Sequence, residues 1–173
     1  MKWTTKHLTL CAVLTALALA LSTLENLFPV TLLIPLPGVK LGLANIVTVF
    51  AVFALGPKDG AAVLFVRIFL GAVFAGNFST IFYSAAGGAL AIGVTILLRK
   101  LLTKKQLWVA GVLGAVAHSV GQMAMAIAIT QTVGLVSYLP VMIVCSIITG
   151  LFTGFCAQFL LDRGKDLWKT ISK

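Results

Sequence analysis

Arg67 is the residue whose chemistry is hardest to place. It is a guanidinium inside the apolar run VLFVRIFLGAVF, residues 63–74, with no carboxylate within a helical turn. A cation near a bilayer centre costs at least about 2.5–3.5 kcal/mol, so it faces a bundle interior or water and takes a partner. Its planar fork of donors suits a carboxylate or a phosphate. Two readings follow: satisfaction within the chain by Glu25 or helix carbonyls, or reception of an anionic ligand. His118 and Gln122, four apart in another apolar run and next to Ser119, share a helical face. They could bond to neighbouring helices or contact the same ligand, and proton transfer by His118 is a third use that nothing in the spacing marks. Asn45 and Thr48 add an amide and a hydroxyl to a third run, and Lys40 precedes them in a loop. Asn77 heads the group Asn77, Ser79, Thr80, Tyr83 and Ser84, where helix caps and interface residues are the ordinary explanation.

Other chemistry is missing from the pattern. Asp59, Asp162 and Asp166 sit near chain turns or the tail and are not paired, and no glycine-rich phosphate loop ends in Gly-Lys-Ser/Thr. Cys11, Cys145 and Cys156 lie in apolar runs without metal or redox spacing, which reads as three small buried hydrophobes and no metal site. The expectation is a binding protein with no catalytic constellation and no ATPase of its own.

The elements that must position these groups are membrane helices. Hydrophobic residues make up 60% of the 173, charged residues 10%, and mean hydropathy is +1.11, against roughly 25% charged in a soluble domain. The reading is an all-α, polytopic helical bundle forming one integral membrane domain, 1–173, with spans at about 8–24, 41–55, 60–75, 80–98, 107–130 and 138–161. The second and third are short for a bilayer. The N-terminus resembles a signal peptide, but its apolar run reaches Leu24 without an A-x-A exit, so it reads as a retained first span.

Eleven of the thirteen basic residues fall in four segments that a six-span topology puts on one side: Lys2 and Lys6, Lys58, Arg99 to Lys105, and Arg163 onward. The net charge of +9 thus reads as the positive-inside signal of a bacterial inner-membrane protein, both termini cytoplasmic, rather than as a nucleic-acid surface. Trp3, Trp108 and Trp168 fall at the same boundary. The connection between the first two spans is then extracellular. Its stretch Glu25–Thr48 carries Pro29, Pro35 and Pro37 before running into an apolar helix, and is expected to form a lid over an intramembrane cavity. Small residues recur where helices would pack closely: Gly87–Gly88, Gly111/Gly114/Ala117/Gly121 and Gly150-x-x-x-Gly154. Ala12, Ala16 and Ala20 form a similar row on the first span that could meet a partner.

The motifs Pro35-Leu-Pro-Gly-Val-Lys-Leu-Gly-Leu-Ala-Asn-Ile-Val-Thr48, Arg67, Phe82-Tyr-Ser-Ala-Ala-Gly-Gly88 and Gly114-Ala-Val-Ala-His-Ser-Val-Gly-Gln122 resemble the bacterial Gx transporter family, also labelled heptaprenyl diphosphate synthase component I. That family is similar to the substrate-binding S components of energy-coupling factor (ECF) transporters. The resemblance implies a six-helix membrane protein that captures a vitamin or other metabolite from outside under the loop between the first two spans. It also implies docking of a transmembrane coupling protein with two ATPases on the Ala12, Ala16 and Ala20 face. Glu25, Lys40, Asn45, Arg67, Asn77, His118 and Gln122 are then the candidates for ligand binding. The label suggests an isoprenoid or diphosphate ligand, and as an alternative a membrane component of isoprenoid or quinone metabolism; relatives linked to flavin transfer suggest a flavin or quinone ligand or the anchor of a flavin-based redox assembly. The chain has none of the Asp-rich motifs that hold magnesium on a prenyl diphosphate, which argues against prenyl transfer by this chain.

Overall fold

The computed structural model describes residues 5–26, 42–103 and 105–164. Among them are six α-helices and no strand: α1 (Thr5–Asn26), α2 (Asn45–Ala54), α3 (Pro57–Ala75), α4 (Ser79–Leu101), α5 (Leu107–Thr130) and α6 (Leu139–Arg163). A 3-10 segment, Val133–Tyr138, leads into α6. The chain is an all-α helical bundle, as its composition requires. α1, α4, α5 and α6, the last continuous with its 3-10 segment, are long and apolar enough to cross a membrane.

α2 and α3 depart from that pattern. α3 has 19 residues but carries Lys58, Asp59 and Arg67. It still turns an apolar side outward, with Phe65 and Phe74 about three-quarters exposed. α2 has 10 residues, roughly 15 Å of helix and half of a bilayer's hydrocarbon thickness. Its residues Asn45 to Phe53 are all buried, and it packs against each of the other five α-helices. It is a central rod enclosed by protein, where a run over 41–55 had suggested a span. The turn before it sets its start. Gly42 holds φ +88°, a left-handed conformation that favours glycine, and the Asn45 and Ile46 N–H groups donate to the carbonyls of Gly42 and Leu43 at 2.9 and 3.1 Å. At the other end the N–H groups of Leu55 and Gly56 both donate to Ala51 O, and Pro57 opens α3.

α5 lies between α4 and α6. A Cβ placed on Gly111 would come within 2.5 Å of Gly150 O and Gly154 Cα, and one on Gly154 within 2.5 Å of Trp108 Cα. The α5 and α6 backbones therefore touch through the row read from the sequence. Gly121 meets Ala86 O and Gly87 Cα in the same way, which brings α4 against the other side of α5. Two side-chain bonds fix the α5–α6 register: Ser119 Oγ to Ser146 Oγ at 2.5 Å, and the Leu107 N–H donated to Gln158 Oε1 at 3.0 Å.

α1 and α3 run parallel. His7 near the start of α1 lies 3.7 Å from Asp59 in the first turn of α3, while Glu25 at the end of α1 shares a cavity with Gly71 and Ala72 near the end of α3. Gly42 bonds to Glu25 at one end and Gly56 borders Asp59 at the other, so α2 runs back between them. Gly56 sits between Asp59 and Arg99 of α4, so Lys6, Lys58 and Arg99 gather at one end.

Candidate functional site

Toward the opposite end, α1, α3, α4, α5 and the turn before α2 enclose a cavity of about 20 Å³. Its polar wall is Ser22 and Glu25 from α1, Arg67 from α3, Thr80 and Ser84 from α4, and His118 from α5. Arg67 reaches it because the apolar side of α3 faces outward and leaves only inward directions for a charged residue. It is 8% exposed, and its Nε has no hydrogen-bond partner. Glu25 is the carboxylate whose field acts on Arg67. Glu25 is itself 3% exposed, and its Oε1 accepts the Gly42 N–H. The site thus sets a cation and an anion together in a wall otherwise made of hydroxyls and an imidazole.

Gly42 ties the pieces together. A Cβ at this position would lie 3.2 Å from Asn45 Nδ2 and 3.9 Å from His118 Cδ2, so the turn, α2 and α5 converge there. Buried beside and beyond the cavity are more polar atoms without protein partners: Asn45 Nδ2, Thr48 Oγ1 and both amide atoms of Gln122, which is fully buried. Polar groups in a protein interior are nearly always hydrogen-bonded, and leaving one unmade costs about 1–3 kcal/mol. These groups cluster beside the buried guanidinium of Arg67. The space itself is small. About 20 Å³ admits roughly one water, so a larger anion can reach Arg67 only by moving Glu25 or another part of the wall.

The structure thus gathers Glu25, Arg67 and His118 at one cavity, with Asn45 adjoining through Gly42 and Gln122 one helical turn from His118. Asn77 is placed apart. It is exposed in the α3–α4 turn, where its Oδ1 accepts the Ser79 N–H at 3.0 Å and its carbonyl accepts the Thr80 hydroxyl at 2.7 Å. That is the work of a cap. Lys40, Trp3, Trp168 and the proline-bearing part of the expected lid lie outside the described residues. Ser22, Gly42, Thr80 and Ser84 are wall residues that the sequence reading did not single out as ligand contacts; Ser22 and Glu25, three apart on α1, carried a usable signal. Ala12, Ala16 and Ala20 all face outward. Ala12 and Ala16 line an apolar groove of about 410 Å³ between α1 and α3, with Leu8, Val66 and Leu70.

Asp59 is corrected by the structure. It belongs to the first turn of α3 rather than to a connecting turn and is 1% exposed, and His7, Cys11 and Asp59 each bring a ligand-type atom within 4.8 Å of the other two. His7 and Cys11 are four apart on α1, a spacing visible in sequence, but the third member comes from another helix.

Searches of curated proteins and of solved structures returned no match. The family model described as Heptaprenyl diphosphate synthase component I matches residues 14–160, from within α1 to within α6. With its buried cation–anion cavity and its apolar helices, the chain belongs to the heptaprenyl diphosphate synthase component I family.

Proposed function

We propose that the chain is a non-catalytic membrane subunit that binds the anionic group of a small metabolite at Arg67 and works with a second component. One observation carries this reading: a buried guanidinium with an unpartnered Nε opens on a cavity walled by Glu25, His118 and three hydroxyls. An arriving carboxylate or phosphate would take over the guanidinium fork as Glu25 swings away, and the amides of Asn45 and Gln122 would complete the shell. Binding is thus an exchange of one anion for another rather than the filling of a large void.

The family description favours a diphosphate among the anions, and an isoprenoid as the apolar part that bilayer surroundings suit. In this reading the chain is a membrane component of isoprenoid or quinone metabolism, and capture of a metabolite for transport is the related use of the same site. The positive-inside rule puts the charged end and both termini at the cytoplasmic face of a bacterial inner membrane, and the cavity toward the outer half. A transmembrane partner would seat on Ala12, Ala16 and Ala20, which face out beside the α1–α3 groove.

The test is thermal unfolding of purified full-length protein in detergent against inorganic diphosphate, a prenyl diphosphate, a flavin mononucleotide and a dicarboxylate. One class should raise the midpoint in the native chain, weakly in Arg67→Lys and not in Arg67→Ala. An equal rise in Arg67→Ala removes Arg67 from the site, and no rise with any anion sinks the reading. Prenyl diphosphate formation by the pure chain with magnesium would show an enzyme instead. Normal co-purification of an Ala16→Trp variant with a membrane partner would rule out the alanine face.

A further inference from the structure

At the charged end of the bundle, far from the anion cavity, we propose that His7, Cys11 and Asp59 form a binding site for a divalent transition metal of the zinc type. Three different donor atoms, an imidazole nitrogen, a thiol sulfur and a carboxylate oxygen, lie within 4.8 Å of one another. His7 Nδ1 and Asp59 Oδ1 are 3.7 Å apart, beyond a good hydrogen bond of about 2.7–3.2 Å. Two ligands held about 2.0–2.2 Å from one tetrahedral ion stand roughly 3.3–3.6 Å from each other. The pair is thus spaced for an ion between them rather than for a proton.

Asp59 supplies the independent observation. It is 1% exposed, and its Oδ1 has no hydrogen-bond partner. A buried carboxylate in that condition is costly unless a cation meets it. Its two oxygens look different ways: a Cβ on Gly56 would lie 3.6 Å from Oδ2 and 3.7 Å from Arg99 Nη1, while Oδ1 is the atom near His7. Oδ2 and Arg99 thus border the same glycine, and Oδ1 is the oxygen on the histidine's side. Cys11 follows His7 by one helical turn, which puts both donors on one face of α1. His7 keeps a fifth of its side chain exposed, which gives an ion a way in.

The donor set selects the metal class. Magnesium and calcium take oxygen ligands, whereas a mixed nitrogen, sulfur and oxygen set suits zinc and its neighbours, with a fourth position left for water. Closing the widest separation takes about 1 Å of side-chain rotation. The thiol proton is released to solvent as the metal–sulfur bond forms. Because α1 and α3 meet here, the bound ion ties two helices together at one end.

Cobalt is the probe, since a cobalt–thiolate bond absorbs in the near ultraviolet. The full-length protein, purified in detergent on an affinity tag without histidine, should take up one cobalt with that absorption and lose it to added zinc. Cys11→Ser should lack the band, Cys145→Ser should keep it, and His7→Gln and Asp59→Asn should bind at least about tenfold more weakly. Zinc should raise the unfolding midpoint of the native chain and not of Cys11→Ser. A folded native chain with no thiolate band, or a band that survives in Cys11→Ser, overturns the proposal. An equal zinc response in both chains overturns it as well.

Discussion

In the proposed anion site, Glu25, whose field already acts on Arg67, would compete with the arriving anion. Glu25→Gln keeps the shape and can still accept the Gly42 N–H, but it removes the competing charge. The expected outcome is lower stability without ligand and tighter anion binding, by about tenfold for each 1.4 kcal/mol of competition removed. Titrating the stabilising anion against both chains measures it, and weaker binding in Glu25→Gln would make Glu25 a ligand contact instead. Gln122 carries a different prediction. Both of its amide atoms are buried without partners, so Gln122→Met should raise stability by about 1 kcal/mol while reducing the ligand-induced rise in midpoint. A loss of stability would show that the amide serves the fold. Arg67, His118 and Gln122 were legible because a charge or amide in an apolar membrane run has only inward directions open to it. Asn77 carried two readings because an amide just before a helix is equally a cap, and capping is what it does. Thr80 and Ser84 were hard to read for the opposite reason. Hydroxyls are common on helices, where they bond back to their own carbonyls as Thr15 and Thr95 do here.

At the scale of elements, the glycine rows were readable and the depth of α2 was not. An apolar run looks the same in sequence whether lipid or protein covers it, so residues 41–55 suggested a span where the structure has a 10-residue rod buried on all sides. The charged turn was readable as a turn, but not that it would bury Asp59, which required α1 and α3 to be parallel. The rows on α5 and α6 are different, since small residues at helical spacing have few uses except close approach. Their importance can be tested by contrast. Gly154→Ala would push a methyl into Trp108 backbone, whereas a Cβ at Gly93 meets nothing within 4 Å. Gly154→Ala should lose about 1–3 kcal/mol of stability, and Gly93→Ala should gain up to about 1 kcal/mol from helix propensity. Unfolding midpoints in the same detergent decide it, and equal effects would deny that the α5–α6 contact is tight.

For the whole molecule the topology turns on how many times the chain crosses. Four helices qualify as spans by length and composition, and α3 carries three charges. The parallel run of α1 and α3 nevertheless requires a return between them, which residues 42–56 make, from Gly42 beside Glu25 to Gly56 beside Asp59. With α4, α5 and α6 alternating after α3, the α3–α4 turn and the α4–α5 turn fall on opposite faces. The positive-inside rule then predicts which face is which: Arg99, Lys100 and Lys105 flank the α4–α5 turn, while the α3–α4 turn between Ala75 and Ser79 holds no charge. Asn77 and Lys105 are both exposed and suit a labelling test. In a chain whose Cys11, Cys145 and Cys156 are replaced by alanine, Asn77→Cys in intact cells should react with an impermeant maleimide. Lys105→Cys should react only after the membrane is opened. The reverse pattern would invert the molecule and put the anion cavity toward the cytoplasm. Labelling of both from one side would mean that α4 does not cross, and the bundle's uncharged end would lose its claim to be the outer one. If the expected pattern holds, an anion approaches Arg67 from the outer half of the membrane, and a metal reaches His7 from the cytoplasm.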